Sequence, residues 1–209
     1  MIVPTDIVPQ ITAIHASPTR LVLVFAGAGS LGLAWLHAIA GSSRTILEAV
    51  DAYAPRSLAE ITGHLEASAV SAATAQAMAI WAYRRAQTLS EGNWPLLGVG
   101  LTAALRTDRP RRGADHAFLA IQSATACNVE HLVLNQQSRL EQEIAVSRWL
   151  IAAIERAGGP APRCRSRDKK FTTQISPLSQ RGRGAGGEGR PHLSPDSLPL
   201  PSSERKGEA

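Results

Sequence analysis

Two patterns of apolar residues alternate along the first three quarters of the chain. Continuous apolar runs occupy residues 21–26 and 96–105, and such runs are typical of strands that are buried on both faces. Apolar residues at helical spacing occupy residues 71–90 and 138–157, and Ser71 is a candidate N-cap for the first of these segments. Together the patterns predict buried strands that alternate with amphipathic helices.

Shorter segments complete this alternation. Glycines mark their ends, since Gly41 is predicted to end one helix and Gly63 another. The predicted short strands are residues 11–16, 45–53, 117–121 and 131–134, and the predicted short helices are residues 33–40 and 57–63. Strands that alternate with helices are characteristic of a three-layer α/β domain, which is the fold class that we predict.

A change in composition near Gly158 divides the chain. Residues 1–157 contain all four tryptophans, whereas residues 158–209 are rich in proline, glycine, serine and arginine and have one aromatic residue, Phe171. A segment of that composition buries too little apolar surface to offset the conformational entropy lost on folding. We therefore predict an α/β domain at residues 1–157 and a disordered basic tail at residues 158–209.

The net charge of +5 belongs to the predicted tail rather than to the domain. Residues 1–157 hold 12 arginines, no lysine and 12 acidic residues, so their charges balance. The excess of basic residues therefore gives no reason to expect a nucleic-acid partner for the domain.

The remaining composition narrows the class of protein. Two cysteines, Cys127 and Cys164, exclude a disulfide scaffold and a cysteine-rich zinc module. No apolar run reaches the roughly 18 residues needed to span a bilayer, and no signal peptide is recognisable. The histidines do not have the spacing of metal ligands. We therefore expect a cytoplasmic protein with no metal site, no cofactor and no membrane partner.

A glycine pattern follows the first buried strand. Gly27, Gly29 and Gly32 have the GxGxxG spacing of a dinucleotide-binding turn, and Glu48 or Asp51 stands about 20 residues later, where an acid that binds ribose is expected. In such a turn the glycines let a phosphate approach the N-terminus of the next helix. The same pattern is also compatible with a mononucleotide phosphate site or with a tight turn that binds nothing.

Two further segments have residues suited to anions. Gly41, Ser42 and Ser43 form a small polar turn whose N–H groups and hydroxyls are able to bind an oxyanion, or to cap a chain reversal. Residues 106–112 (RTDRPRR) form a predicted loop with four arginines. Arginine suits phosphate recognition, although a solvated loop explains this composition equally well.

Taken in order, these segments resemble the C-terminal domain of the competence-damage inducible protein A (CinA) family. The resemblance covers about residues 20–157. It is carried by Ala26-Gly27-Ala28-Gly29-Ser30, Ala40-Gly41-Ser42-Ser43, Tyr53, Gly63, Ala75, Ala77, Met78, Leu97-Gly98-Val99-Gly100-Leu101-Thr102 and Arg109-Pro110-x-x-Gly113. It looks closer still to the branch in which such a domain precedes a nucleotidyltransferase domain.

The resemblance implies a fold, an assembly and a reaction. The fold is an α/β/α sandwich with a mixed sheet, and the family forms homo-oligomers. Its members are nicotinamide-nucleotide amidohydrolases, which hydrolyse the carboxamide of nicotinamide mononucleotide to the acid mononucleotide and ammonia. A small-molecule nucleotide is therefore the expected partner of this chain.

The family's catalytic positions are not preserved here. At the family's spacing its nucleophilic serine falls on Ala26, and its lysine falls on Leu58. The residues that match the motifs are of kinds that bind a ligand: Gly27, Gly29, Ser30, Gly41, Ser42, Ser43, Tyr53, Thr102 and Arg109. Because acyl transfer needs a nucleophile and a base in contact, we predict a catalytically degenerate domain that is at most a pyridine-mononucleotide binder.

Two alternatives stay open at this point. One is an active amidohydrolase that uses Ser30 or Ser42 with Thr102. The other is a dinucleotide-binding domain that uses Gly27, Gly29 and Gly32. For the binding hypothesis, we predict that the turn at residues 27–30, the turn at residues 41–43, and Thr102 with Arg109 converge on one phosphate-binding pocket, since ligands of α/β sheets lie beyond the carboxyl ends of the strands.

Overall fold

The structure, a computed structural model, describes residues 3–63, 68–108, 113–136 and 138–159. Five strands and six helices lie in these ranges: α1 (Val8–Ala16), β1 (Arg20–Ala26), α2 (Ser30–Ala38), α3 (Ser42–Thr45), β2 (Ile46–Asp51), α4 (Pro55–Thr62), α5 (Ala72–Leu89), β3 (Leu96–Ala104), β4 (His116–Gln122), β5 (Cys127–Val133) and α6 (Arg139–Gly158). The predicted tail, beyond its first two residues, lies outside the described residues.

The strands form one mixed sheet in the order β2-β1-β3-β4-β5. Strand β1 runs parallel to both β2 and β3, whereas β4 and β5 are antiparallel additions beyond β3. At the carboxyl end of β1, Phe25 lies opposite Asp51 of β2, and Ala26 lies opposite Thr102 of β3. The prediction of an α/β domain with a mixed sheet is confirmed.

Alternation along β1 divides the core between the two faces of the sheet. Leu21, Leu23 and Phe25 belong to a cluster with α1, α2 and α6, whereas Val22 and Val24 belong to a cluster with α4 and α5. Successive strand residues point to opposite faces, so a continuous apolar run serves both layers. We call these two sides the α2/α6 face and the α4/α5 face.

Helix α5 lies unusually close to β3. A Cβ atom on Gly98 would stand 2.2 Å from the carbonyl oxygen of Ala79, and one on Gly100 would stand 2.3 Å from that of Ala75. The alanines of α5 are fully buried at this contact. Glycine on the strand and alanine on the helix therefore bring the two backbones together, and no side chain larger than hydrogen fits at residues 98 and 100.

Three helix ends are capped, and two of these caps, at Ser71 and Gly63, were predicted. The Ser71 hydroxyl accepts a hydrogen bond from the Thr74 N–H at the start of α5. Ser138 and Glu141 form a reciprocal capping box at the start of α6. Gly63 closes α4 in the left-handed region, with φ +85°.

Three predicted elements differ from those observed. Residues 11–16 belong to helix α1 rather than to a strand, because Pro9 opens a helix whose buried residues Ile11, Ile14 and His15 recur at helical spacing. Helix α2 ends at Ala38, and Gly41 begins the one-turn helix α3 instead of ending α2. Strand β5 begins at Cys127, four residues before the predicted strand. The prediction began too late because exposed polar residues interrupt the apolar pattern at the start of this strand.

Candidate functional site

A cavity of about 470 Å³ opens on the α2/α6 face, where β1 and β2 end. Three of the predicted binding residues line it, namely Gly27, Ser30 and Tyr53. The other lining residues are Phe25, Ala28, Leu31, Asp51, Arg139, Leu140 and Glu143. The cavity thus combines two aromatic rings with two carboxylates and one guanidinium, at the edge of the sheet where a ligand is expected.

Close packing requires the first two glycines of the turn. Gly27 and Gly29 have φ angles of +86° and +108°, which side-chain-bearing residues rarely adopt. A Cβ on Gly27 would lie 2.2 Å from the Ala103 carbonyl oxygen, and one on Gly29 would lie 2.7 Å from Cδ2 of Leu101. The tight-turn interpretation therefore accounts for both glycines without a ligand.

The N-terminus of α2 binds a carboxylate of the chain itself. Oε1 of Glu143, on α6, accepts hydrogen bonds from the N–H groups of Gly29 and Leu31, both at 3.0 Å. The same oxygen accepts from the Ser30 hydroxyl at 3.2 Å, and Oε2 lies 3.3 Å from the Gly29 nitrogen. A side chain 114 positions away in sequence thus fills the place that the sequence analysis assigns to a phosphate.

The third glycine of the pattern packs against α6. The Gly32 N–H donates to the Ser147 hydroxyl at 2.9 Å, and a Cβ on Gly32 would lie 3.1 Å from Cδ2 of Leu150. The dinucleotide hypothesis needs N–H groups of this first helical turn to face a phosphate. Those of Gly29, Leu31 and Gly32 are bonded to α6 instead, which argues against that hypothesis.

The two acids considered for ribose binding have different environments. Glu48 forms a bidentate ion pair with Arg85, with N–O distances of 2.8 and 3.0 Å, and the hydrogen bonds from Arg85 lower the pKa of Glu48. Asp51 lines the cavity, where desolvation and the nearby charge of Glu143 raise the pKa of Asp51. Of the two acids, only Asp51 is placed to meet a ligand in the cavity.

A second depression, of about 540 Å³, adjoins the cavity. Tyr53 and Arg139 line both, and the second also includes residues 106–108 at the start of the arginine-rich loop. The Arg139 guanidinium donates to the carbonyl oxygens of Arg106, at 3.2 Å, and Gly27, at 3.4 Å. It therefore ties this loop to the glycine turn. Arg109 lies outside the described residues.

The turn at residues 41–43 is not part of this site. Gly41 precedes α3, which leads directly into the first residue of β2, at the opposite end of the sheet from Gly27. There the Ser42 hydroxyl is hydrogen-bonded to Nδ1 of His37 at 2.7 Å. A Cβ on Gly41 would lie 2.8 Å from the Cβ of His15, so packing accounts for this glycine too. The predicted convergence is wrong for Gly41, Ser42 and Ser43.

Thr102 lies at the predicted edge of the sheet, the carboxyl end of the strands, but its side chain is on the other face. It is on the same side of β3 as Gly98 and Gly100, which face α5, and Thr102 is 1% exposed. Its hydroxyl donates to the carbonyl oxygen of Ala69 at 2.7 Å. Thr102 does not line the cavity, so the predicted convergence is wrong for this residue as well.

The positions that the resemblance assigns to nucleophile and lysine are apolar and belong to one hydrophobic cluster. Leu58 is 7% exposed within the hydrophobic cluster of the α4/α5 face, and Ala26 packs against that cluster. Because Ala26 lies opposite Thr102 in the β1–β3 register, all three residues occur on one face at the carboxyl end of the strands. Apolar packing thus replaces the catalytic groups that the resemblance implies at these positions.

Besides Arg139, three residues of α6 that shape the site were missed from the sequence. Glu143 and Ser147 bind the first turn of α2, and Gln142 is fully buried. The Gln142 side chain accepts from the Arg106 N–H at 2.6 Å and donates to Asp115 at 2.8 Å. Their polar character is the sequence signal, and it does not distinguish them from the exposed polar residues beside them or reveal their partners.

Two other kinds of site, a metal centre and a membrane-spanning helix, do not occur within the described ranges. No group of three histidine, cysteine or acidic residues in the described parts of the chain is arranged to hold a metal ion. None of the helices in those parts is both long and apolar enough to cross a membrane.

Comparisons with known proteins bear on the fold. No protein-family model matches the chain, and no curated protein matches it. A solved structure of the competence/damage inducible protein CihA from Agrobacterium tumefaciens is similar at a TM-score of 0.58 and 22% identity, over 76% of this chain and 99% of that chain. A CinA superfamily protein from Klebsiella pneumoniae is similar at a TM-score of 0.58 and 15% identity, over 72% and 94%.

A third similar structure is a CinA superfamily protein from Enterobacter cloacae, with a TM-score of 0.57 and 12% identity over 72% of this chain and 89% of that chain. At such identities the comparisons establish the fold alone. The CinA-like fold predicted from the sequence is confirmed.

Proposed function

We propose that this chain is a CinA-like domain that does not hydrolyse nicotinamide nucleotides and whose remaining function is to bind a small ligand. The observation that carries this proposal is the apolar packing at the expected catalytic positions, where Ala26 and Leu58 belong to one hydrophobic cluster.

Amide hydrolysis through an acyl-enzyme needs a nucleophile that is activated by a base. Alanine at residue 26 supplies no nucleophile, and a buried leucine at residue 58 supplies no base. No lysine occurs in residues 1–157 that could take over. Arginine is a poor proton acceptor, because its guanidinium stays charged at every physiological pH. Loss of two members of a catalytic unit costs orders of magnitude in rate.

The cavity on the α2/α6 face supports a binding function. Phe25 and Tyr53 offer aromatic surface for a flat ring, and Tyr53 is 69% exposed. The Asp51 carboxylate favours a ligand ring that carries positive charge, as the pyridinium of nicotinamide mononucleotide does. The phosphate of such a ligand would lie towards the loop that begins at Arg106 and continues to Arg109.

Ammonia release from nicotinamide mononucleotide tests the loss of hydrolysis. We expect no release above the buffer control, with an active nicotinamide-nucleotide amidohydrolase assayed in parallel. Turnover near the median enzyme rate of about 10 per second would contradict the proposal.

Calorimetry with the same compound tests binding. Replacement of Arg109 by alanine should weaken binding by roughly tenfold to a hundredfold, the effect of losing one charge-assisted contact. Arg84→Ala, on the exposed side of α5, serves as the matched control and should leave the affinity unchanged. If the wild-type protein binds nothing at millimolar concentration, a purely structural role replaces the binding function.

One contact favours an alternative, an active hydrolase with a different nucleophile. The bond of 2.7 Å between Ser42 and His37 joins a hydroxyl to a possible base. Ser30, by contrast, is bonded to the Glu143 carboxylate. Turnover that Ser42→Ala or Ser30→Ala abolishes would establish this alternative in place of our proposal.

A further inference from the structure

The helix that follows the first glycine turn has its N-terminus occupied by the chain itself. We propose that the Glu143 carboxylate is a built-in anion that stabilises this N-terminus and excludes phosphate groups from it. Glu143 is then a residue that determines which ligands the adjoining cavity accepts. The effect of Glu143 is the same whether or not the domain is catalytic or binds nicotinamide mononucleotide.

Helix α2 lacks the means to cap itself. Its N-cap residue is Gly29, which has no side chain, and its first turn contains no acidic residue. The N-terminus of a helix carries partial positive charge and N–H groups without partners in the helix. This position therefore favours an anion from elsewhere in the chain, and α6 supplies one.

The contacts of Glu143 reproduce those of a bound anion. Oε1 accepts from the N–H groups of Gly29 and Leu31, from the Ser30 hydroxyl, and from the Ser147 hydroxyl at 3.4 Å. Ser147 lies one turn after Glu143 on α6 and itself accepts from the next N–H of α2. Two residues of one helix face thus bind the first turn of the other helix.

A phosphate at the same place would have to displace this carboxylate. It would compete with four hydrogen bonds that are already made, and it would meet the charges of both Glu143 and Asp51, which line the same cavity. Repulsion between such charges is strong where water is partly excluded. A ligand therefore approaches α2 with a neutral or positively charged group, and any phosphate it carries is directed away from the glycine turn.

Replacement of Glu143 by alanine should turn the occupied N-terminus into an empty anion site. Glu143→Gln is the matched control, because its amide still fills the space while it removes the charge. We would measure thermal unfolding of the full chain and both variants in chloride, in inorganic phosphate and in acetate at equal ionic strength. In chloride, the alanine variant should melt about 4 °C or more below the wild type, because charge-assisted hydrogen bonds are lost.

In the alanine variant, phosphate and acetate should restore most of the lost melting temperature. In the wild type and in Glu143→Gln, the melting temperature in phosphate or acetate should equal that in chloride. Equal stabilisation of the wild type by phosphate would overturn the proposal, since the site would not be closed to anions. Absence of recovery in the alanine variant would overturn it as well. If that variant folds only in the presence of phosphate or acetate, its refolding is the readout, and failure to fold in either anion counts against the proposal.

Discussion

The carboxyl-end edge of the sheet differs between its two faces. On the α4/α5 face, α5 contacts the glycines of β3 directly, Leu58 and Ala26 pack in an apolar cluster, and the Thr102 hydroxyl is bonded to a backbone carbonyl. On the α2/α6 face, β1 and β2 end at a cavity with two carboxylates, and Glu143 and Ser147 of α6 bind the start of α2. One face is closed by apolar packing, and the other keeps polar groups beside an open space.

The difference matters because family resemblance and pocket geometry point to different faces. The positions aligned with nucleophile and lysine lie on the closed face, whereas the glycine turn and Tyr53 line the cavity on the other. Alignment of motifs assumes that residues adjacent in a motif face the same site. Phe25 and Ala26 are consecutive in β1, yet Phe25 lines the cavity and Ala26 packs against the cluster of the opposite face, because side-chain direction alternates along a strand.

The largest expected effect concerns the closed face. In Gly100→Ala, the new Cβ would meet the Ala75 carbonyl oxygen at 2.3 Å and the Ala79 nitrogen at 2.5 Å. Backbone atoms do not move aside as side chains do, so we expect the free energy of unfolding to fall by about 3 kcal/mol or more, at the upper end of overpacking effects. Urea denaturation measures this free energy.

Gly158→Ala is the control, because its Cβ would find ordinary contacts of 3.6 Å with Thr19. If both variants lost the same free energy of unfolding, α5 would not be packed this closely against β3.

An intermediate effect is expected from an attempt to restore the family's lysine. Leu58→Lys places a charged side chain at a position that is 7% exposed in an apolar cluster. Loss of apolar burial and desolvation of the ammonium should lower the free energy of unfolding by about 2 kcal/mol. Leu140→Lys, at a residue that is 63% exposed beside the open cavity, should change it by less than about 0.5 kcal/mol. If the two variants were equally stable in urea, the distinction between a closed and an open face would fail.

The smallest effect concerns the pH dependence of the open face. The pKa of Asp51 is raised by desolvation and by the charge of Glu143. Its protonated form is therefore favoured in the folded state, and the stability that it contributes at low pH is lost as the pH rises through its folded pKa. Asp51→Asn should match the wild type near pH 3 and be slightly more stable at pH 7, by no more than about 0.5 kcal/mol.

Glu48→Gln provides the comparison of opposite sign. Arg85 lowers the pKa of Glu48, so this ion pair contributes stability above the unfolded pKa of about 4.3 and loses it as the pH falls. The variant should be less stable than the wild type at pH 7, by at most about 1 kcal/mol, and equal to it at low pH. Urea denaturation at several pH values measures both effects. If the two variants changed the free energy of unfolding at pH 7 in the same direction, the assigned environments of Asp51 and Glu48 would be contradicted.

Much of the fold followed from local sequence signals. The runs at residues 21–26 and 96–105 are strands. Odd and even positions are both apolar there, so both faces of each strand must be buried. Ser71 and Ser138 stand at helix starts because their hydroxyls cap free N–H groups. The first helix was mistaken for a strand because residues 11–16 are too short a window to separate the two periods.

Much less of the candidate site could be predicted. Both glycine turns have a serine after the glycine and a positive φ, at +108° for Gly29 and +115° for Gly41, yet they lie at opposite ends of the sheet. Local sequence describes a turn but not its neighbours. The sequence by itself determined the buried strands at residues 21–26 and 96–105, the long helices near residues 71–90 and 138–157, and the absence of lysine from residues 1–157. Only the tertiary structure decided that the N–H groups of the first turn are bound by Glu143, because that contact joins helices whose partners depend on packing between distant parts of the chain.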